Sequence, residues 1–510
     1  MRLLLLALVG WPLLVRADWW WPATNARDLA QRCEQLATRL AEAPPTVQGP
    51  AIADAQSAIA QGQWLTLNHH QTQWRQAGAD CELQLTLALT TLDSRLASDR
   101  SHPLVAARGA SAPTNSAVES ARSDLNSAVS AYARQLSSAN QQPLLLPDEC
   151  PPVTSASLAE YLDHALPASC RNLARQRWQQ RASHLGGGTY TALIYARQQL
   201  AEAEGEPSWR HWRARDALLS PLDVDRLLIG IGRRNCPQPE AERPPLAAET
   251  VIADQLTLLE QRLGLTMSQQ PLTEPAFSAL PLIALQLQWR GDQPGPRWLL
   301  LDLFARPGKA VKRVQAMPIA WNEQGQILAV AVSAGLPPAQ WSAPQQRQLI
   351  EGLANALMVH RSPQASDLKG LWGALAQRWW QPLQPLQLGP EQAVAAALVA
   401  RSHRLPLARD GGAALISNSL RTLQLAEGAV VAAQLWASPG MISDDALAYR
   451  PLWLALLAGQ LTALPEERLA PLLTALGGAT EQKTLLEVMA VPNPQAALNQ
   501  LLAGASCTGG

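Results

Sequence analysis

The sequence lacks an excess of charge of either sign and has few charged residues. Its 510 residues include 41 Lys and Arg against 41 Asp and Glu, and charged residues make up 16% of the chain. A neutral protein has no long-range field that attracts nucleic acid, so we expect no nucleic-acid partner. At about 100 to 200 residues per domain, the length suits two to four domains or one large enzyme-like body.

Long apolar runs are missing after the N-terminus. Residues 3–15 form an apolar run that follows Met1 and Arg2 and ends in Val15-Arg16-Ala17, with small residues before the cut. This pattern predicts a cleavable export signal over residues 1–17, with a retained signal anchor as the alternative. We therefore expect an exported protein, periplasmic or secreted. No later run reaches the roughly 18 residues of a spanning helix, so we expect no transmembrane segment after signal removal.

Cysteine motifs of the Cys-x-x-Cys type are also absent, which gives no indication of zinc or redox chemistry. An even number of cysteines in an exported chain favours disulfides. Proximity along the chain suggests the first two pairs, and exclusion leaves the third. The predicted pairs are Cys33 with Cys81, Cys150 with Cys170, and Cys236 with Cys507.

Helical periodicity dominates the chain. Apolar residues recur at three- and four-residue steps from Leu29 to Leu40, and 18–240 is predicted to be an N-terminal helical region. Residues 97–142 are rich in Ser and Ala, which indicates either a thinly packed helix or a mobile insertion. A second domain is predicted over 246–510, where a few short alternating segments are typical of strands. The predicted fold is mainly α with a small β-sheet in the C-terminal half. The strands are expected at 283–289, 298–304 and 327–332.

One strand ends in a motif with a specific pattern. The segment 301–309 reads Leu-Asp-Leu-Phe-Ala-Arg-Pro-Gly-Lys, and a Gly-Gly pair follows at 477–478. In both features the chain, over about 246–504, resembles the thimet oligopeptidase and oligopeptidase A family of zinc metallopeptidases. The resemblance implies a two-lobed helical body that encloses a deep channel.

The zinc ligands of that family do not recur in this chain. The family binds zinc through two histidines of a His-Glu-x-x-His helix, whose glutamate is the general base, and through a later glutamate. Residues four apart share one helix face, so two imidazoles can reach one cation. In the register of the resemblance, Glu351 and Asn355 take the histidine positions. Gly352 takes the position of the general base, and Gly370 that of the third ligand.

These replacements predict a catalytically inactive relative that binds peptides or an exported protein partner. An amide, one carboxylate and two glycines make a poor zinc site, so no cofactor is expected. Arg306, Lys309 and Tyr449 are the candidate binding residues. Arg306 and Lys309 would hold either a conformation or a partner's carboxylate.

Two alternatives remain. One is an active zinc oligopeptidase with other ligands, for which His360 and His403 are the histidines in this half of the chain. The other is a structural protein of the cell envelope.

Overall fold

The structure is a computed structural model, and its described residues cover most of the chain in separate stretches. The signal peptide predicted over residues 1–17 lies outside them, as do Cys236 and Cys507. The described residues are 23–42, 48–98, 116–141, 144–153, 161, 168–180, 188–215, 217–232, 245–272, 280–289, 297–311, 313–322, 326–359, 370–380, 447, 449–462, 464, 468–469, 471–472 and 481–504.

The fold is mainly helical with a small mixed sheet in the C-terminal half, which confirms the predicted fold class. The region rich in Ser and Ala contributes one helix from Ser116 to Gln141. In chain order the helices are α1 (Ala26–Glu42), α2 (Gln48–Asn68), α3 (Thr72–Ser98), α4 (Ser116–Gln141), α5 (Ala168–Gln180), α6 (Gly188–Ala203), α7 (Trp209–Ala214), α8 (Pro221–Gly232), α9 (Ala248–Leu263), α10 (Ala343–Val359), α11 (Leu371–Trp380), α12 (Arg450–Leu461), α13 (Glu481–Met489) and α14 (Pro494–Gly504).

The strands follow α8 in the chain and form two sheets. The larger one has the order β2-β3-β4-β6-β5, in which only β4 and β6 run parallel. The smaller one pairs β1 with β7. The strands are β1 (Leu246–Ala247), β2 (Leu265–Gln270), β3 (Ile283–Trp289), β4 (Arg297–Phe304), β5 (Gln315–Trp321), β6 (Ile327–Leu336) and β7 (Gln340–Trp341).

The chain divides into two compact units that interleave along the sequence. The first comprises Met1–Ser111, Glu240–Gln384 and Leu461–Glu481, and it holds both sheets. The second comprises Ala112–Pro239, Pro385–Gln460 and Gln482–Gly510. Within the described stretches, no helix is long and apolar enough to cross a membrane.

The larger sheet is buried on both faces. Side chains alternate between the faces of a strand, so Trp298, Leu300, Ala329 and Ala331 share one face. All four belong to the core formed with α1, α2 and α3. Val332 points to the opposite face, where α10 packs against β5 and β6. Burial on both faces explains why β4 and β6 are apolar over nearly their whole length.

The helical layer on this sheet is held by a close approach of two helices and by a disulfide. A Cβ added to Gly62 of α2 would lie 2.6 Å from the carbonyl oxygen of Gly78 in α3, and the reverse distance is also 2.6 Å. Cys33 of α1 is bonded to Cys81 of α3. This is one of the predicted pairings. The layer therefore depends on two small residues and one covalent link.

The second unit is a helical body with its own links. Cys150 is bonded to Cys170, as predicted. Arg210 of α7 donates from Nη2 to Asp225 of α8 at 3.0 Å, and both side chains are nearly buried. A buried ion pair with good geometry fixes how two elements meet, because a misplaced partner would leave a buried charge uncompensated.

We predict that Gly62→Ala lowers the free energy of unfolding by about 1–3 kcal/mol, because the new methyl group meets backbone rather than a flexible side chain. Helix propensity alone would favour alanine by about 1 kcal/mol. Gly188→Ala is the matched control, since a Cβ there meets nothing within 4 Å. Urea unfolding of the oxidised protein measures the free energy of unfolding of both variants. Equal stability of the two variants would contradict the close approach of α2 and α3.

Candidate functional site

The candidate site lies on α10, the helix that follows the larger sheet. Its start is fixed by a capping box, in which Gln345 accepts hydrogen bonds from the backbone N–H of Ser342 at 2.8 Å and from its hydroxyl at 3.1 Å. Leu349, Ile350 and Leu353 are fully buried. These contacts fix the rotation of α10, and they therefore decide which residues face the sheet and which face α11.

Gly352 lies on the sheet side of α10. A Cβ at this position would come within 2.4 Å of Cγ1 of Val314 and within 3.9 Å of Cγ1 of Val332. The position that the resemblance gives to the general base is therefore a packing contact with the sheet. A larger side chain there would force Val314 to move.

Glu351 and Asn355 lie on the side of α10 that faces α11. Nε2 of Gln377 donates to Oε2 of Glu351 at 2.7 Å. A Cβ on Gly373, one turn earlier in α11, would lie 2.7 Å from Cγ of Glu351 and 2.9 Å from both Oδ1 and Nδ2 of Asn355. The two helices approach so closely because Gly373 has no side chain. Glu351 and Asn355, predicted to replace the histidines, therefore share one interhelical contact.

Gly370 lies at the start of α11 rather than in this contact. Its φ of +95° is in the left-handed region that favours glycine. Its carbonyl accepts the N–H of Ala374 at 3.0 Å. The residue of α11 that the structure places against Glu351 and Asn355 is Gly373.

The contact between α10 and α11 does not fit a zinc ion. Zinc needs three or four nitrogen, sulfur or carboxylate ligands, and here the donors are one carboxylate and two neutral amides. The carboxylate already accepts a hydrogen bond from Gln377. Across the stretches that the structure describes, no group of three His, Cys, Asp or Glu side chains is placed to hold a metal ion. His360 and His403 lie outside the described residues.

The electrostatics of this contact are those of a partly desolvated carboxyl. Glu351 is exposed on one side, but burial against its neighbours raises the pKa of its carboxyl above the ordinary value of 4.5. The hydrogen bond from Gln377 lowers the pKa and opposes that effect. No charged partner is among the causes. The site thus favours a neutral side chain over a charged one.

A second polar cluster lies at the end of β4 and contains the other predicted residues. The carboxylate of Asp302 is fully buried. Arg306 donates to both of its oxygens, with 2.8 Å from Nη2 to Oδ2, and also to the carbonyl of Asn68 at 2.7 Å. Nζ of Lys309 donates to Oδ1 of Asp302 at 2.8 Å and to the carbonyls of Asp302 and Phe304 at 2.6 and 3.2 Å.

This cluster gives Arg306 and Lys309 the first of their two predicted roles, that of holding a conformation. The side chain of Lys309 is 1% exposed, and an ammonium group has three protons, which match its three acceptors here. Arg306 links the end of β4 to the C-terminus of α2 through Asn68. Nearby, the φ of Gly308 is +82°, so the turn between Arg306 and Lys309 favours glycine.

Tyr449, the third predicted binding residue, belongs to the second unit. It is 2% exposed and directly precedes α12, where its carbonyl accepts the N–H of Trp453 at 3.1 Å. A ring buried at the start of a helix contributes packing. The structure therefore brings Arg306 and Lys309 together around Asp302, and it brings Glu351 and Asn355 together at α11.

Comparison with known proteins gives a fold but no close relative. No family model matches the sequence, and no curated protein matches it. A solved structure named "putative Oligoendopeptidase F" has a TM-score of 0.53 and 11% identity, over 96% of this chain and 97% of that one. A "putative peptidase" from Chlamydophila abortus has a TM-score of 0.51 and 11% identity, over 97% and 92%. The fold is peptidase-like.

Two residues of the contact between α10 and α11 were missed by sequence reasoning. Gly373 and Gln377 complete the contact with α10, yet a glycine and a glutamine four residues apart in an apolar helix are not a known motif. The only available signal was their spacing of one helical turn, which places both on one face. Asp302 was visible as part of the strand motif, but the bond from its partner Arg306 to Asn68 of α2 joins residues 238 positions apart in the chain.

We predict that Glu351→Gln removes a pH dependence of stability. Because the pKa of Glu351 is raised, the folded protein holds the proton more tightly, and the free energy of unfolding falls as pH rises through 4.5 to the folded value. Between pH 4 and pH 7, the free energy of unfolding of the variant should therefore rise relative to that of the wild type, as measured by urea unfolding. Gln377→Ala should raise the pKa further, because it removes the donor. A difference that does not change with pH would contradict the desolvation of this carboxyl.

We also predict that Asp302→Asn lowers the free energy of unfolding by about 3–5 kcal/mol, because two nearly buried cations lose the carboxylate that both of them contact. Asp80→Asn is the control, since Asp80 accepts one hydrogen bond, from Gln76, at an exposed site of the same unit. That control should change the free energy of unfolding by less than about 1 kcal/mol. Similar losses in the two variants would show that the cluster at β4 is not a structural ion pair.

Proposed function

We propose that this protein is a catalytically inactive relative of zinc metallopeptidases that binds peptides or a protein partner in the cell envelope. Its peptidase-like fold supports the relationship. The contact between α10 and α11 supports the inactivity and is the observation that carries the proposal.

The chemistry of that contact argues against hydrolysis by a metal-bound water. Such a mechanism needs a cation with an open coordination position and a base to accept the proton of the water. At the positions that the resemblance assigns, Glu351 is hydrogen-bonded to Gln377, and Gly352 offers no group that accepts a proton. Where the family would hold an ion, Glu351 is hydrogen-bonded to Gln377 and Asn355 packs on Gly373.

The disulfide bonds support the proposed location in the cell envelope. Two cysteine pairs are disulfide-bonded, which indicates an oxidising environment. Together with the signal peptide expected at residues 1–17, they favour export to the periplasm or beyond. A short disulfide-bonded chain would need such links for stability. In a chain of 510 residues with a large core, they instead fix particular elements such as α1 against α3.

Binding without cleavage is tested with a mixture of short peptides and the full, oxidised protein. We expect that the peptides remain intact over hours, with or without added zinc or a chelator, and that a subset is retained on the immobilised protein. Loss of retention on unfolding in urea is the control. Cleavage that a chelator stops would contradict inactivity, and retention of no peptide would contradict the peptide-binding part of the proposal.

A ligand transplant tests whether α10 and α11 carry the remnant of a metal site. We predict that the triple variant Glu351→His, Asn355→His and Gln377→Glu gains zinc affinity, because the ends of residues 351 and 377 already lie in contact. The control is Glu34→His with Thr38→His, which places two histidines four residues apart on an exposed face of α1.

The triple variant should bind zinc at least about tenfold more tightly than this two-histidine control, as measured by competition with a colorimetric chelator. An affinity equal to that of the control would contradict the assignment of these positions. The urea midpoint of each variant shows whether it has folded.

A further inference from the structure

An open cleft of about 490 Å³ lies in the second unit. Its walls come from α7, the connector to α8, the first turn of α8 and the first turn of α14. Its apolar lining includes Ala214, Ala217 and Leu218, and its charged or basic lining includes Glu206, His211 and Arg215.

Basic groups lie on α7 and directly after it. Nδ1 of His211 is 2.8 Å from the hydroxyl of Ser208, so the ring is oriented and its Nε2 is left for another partner. The guanidinium of Arg215 lies 4.8 Å from the centre of the Trp212 ring and 3.7 Å from a carboxylate oxygen of Glu204. The side chain of Arg215 is nevertheless 49% exposed. Both groups can donate to an anion in the cleft.

Two helix N-termini open on the same cleft. Pro221 and Pro494, the first residues of α8 and α14, both line it. Further along, a Cβ on Gly230 of α8 would lie 2.5 Å from Cδ2 of Leu502 in α14, so the two helices run parallel. Their dipoles therefore add a positive potential at the end where His211 and Arg215 lie.

Acidic groups provide the opposite charge. Asp223 is engaged by the hydroxyl of Ser220 at 2.7 Å and by Arg226 at 3.3 Å. Glu206 is different: among the described residues, its carboxylate makes no hydrogen bond or ion pair. The cleft thus combines donors for an anion with one uncompensated carboxylate for a cation.

We propose that this cleft binds a short peptide through its two free ends, with the carboxylate at His211 and Arg215 and the ammonium group at Glu206. Ala214, Ala217 and Leu218 line the same cleft and would contact small side chains. This assignment rests on the peptide-binding part of the proposed function and gives that function a site in the second unit.

Tri-alanine is the probe, and calorimetry with the full, oxidised protein is the measurement. We expect that N-acetyl-tri-alanine and tri-alanine amide each bind at least about tenfold more weakly, because each lacks one charge-assisted hydrogen bond. Glu206→Gln should weaken the binding of tri-alanine by a similar factor and leave the affinity for the N-acetyl peptide unchanged. Arg215→Gln should weaken the binding of tri-alanine and leave the affinity for tri-alanine amide unchanged.

The matched controls are Glu119→Gln and Arg134→Gln, exposed residues of α4 in the same unit, which should bind tri-alanine like the wild type. In the wild type, the NMR signal of the His211 ring should shift on titration, so the assignment stays testable if a variant fails to fold.

If tri-alanine binds but neither blocking nor the variants change its affinity, the cleft assignment is overturned and the peptide-binding function stands. Absence of binding up to about 10 mM also overturns the assignment, and the retention assay then decides the function independently.

Discussion

Helix α10 is held between the larger sheet and α11, and its close contacts on both sides constrain everything else at the candidate site. Gly352 packs on Val314, which directly precedes β5, and Gly373 of α11 packs on Glu351 and Asn355. An interior packed this closely leaves no space between the helices without a cost in free energy. The fold is peptidase-like, and at the positions that the proposed function treats as a lost metal site, α10 and α11 make packing contacts and one hydrogen bond.

The strand motif at the end of β4 stabilises the larger sheet through an ion pair of its own side chains. Asp302, Arg306 and Lys309 join the end of β4 to α2, so they support the sheet on which α10 lies. A buried carboxylate with two cations is costly to break, whatever the protein does. The motif therefore stabilises the fold, whereas residues 351, 352 and 355 are the positions that bear on catalysis.

The sequence predicted more of the fold than of the site. Alternating apolar residues in β3, β4 and β6 and three- to four-residue steps in α1 were enough for the helices and the sheet. Two cysteine pairs followed from their spacing. The partners of α10 could not be predicted from the sequence, because Gly373 and Gln377 acquire a role only where two helices meet. The burial of Lys309 could not be predicted either, because it depends on three oxygens at the end of β4. Tertiary contacts of this kind have no periodic signal in the chain.

The zinc content of the purified, oxidised protein tests the central claim most directly. The protein would be expressed with ample zinc, separated from loosely bound ions, and measured by mass spectrometry in its native and unfolded forms. An amide-rich contact predicts a native mass equal to that of the metal-free chain, with far less than one zinc per molecule. One tightly held zinc per chain, released only on unfolding, would contradict the account.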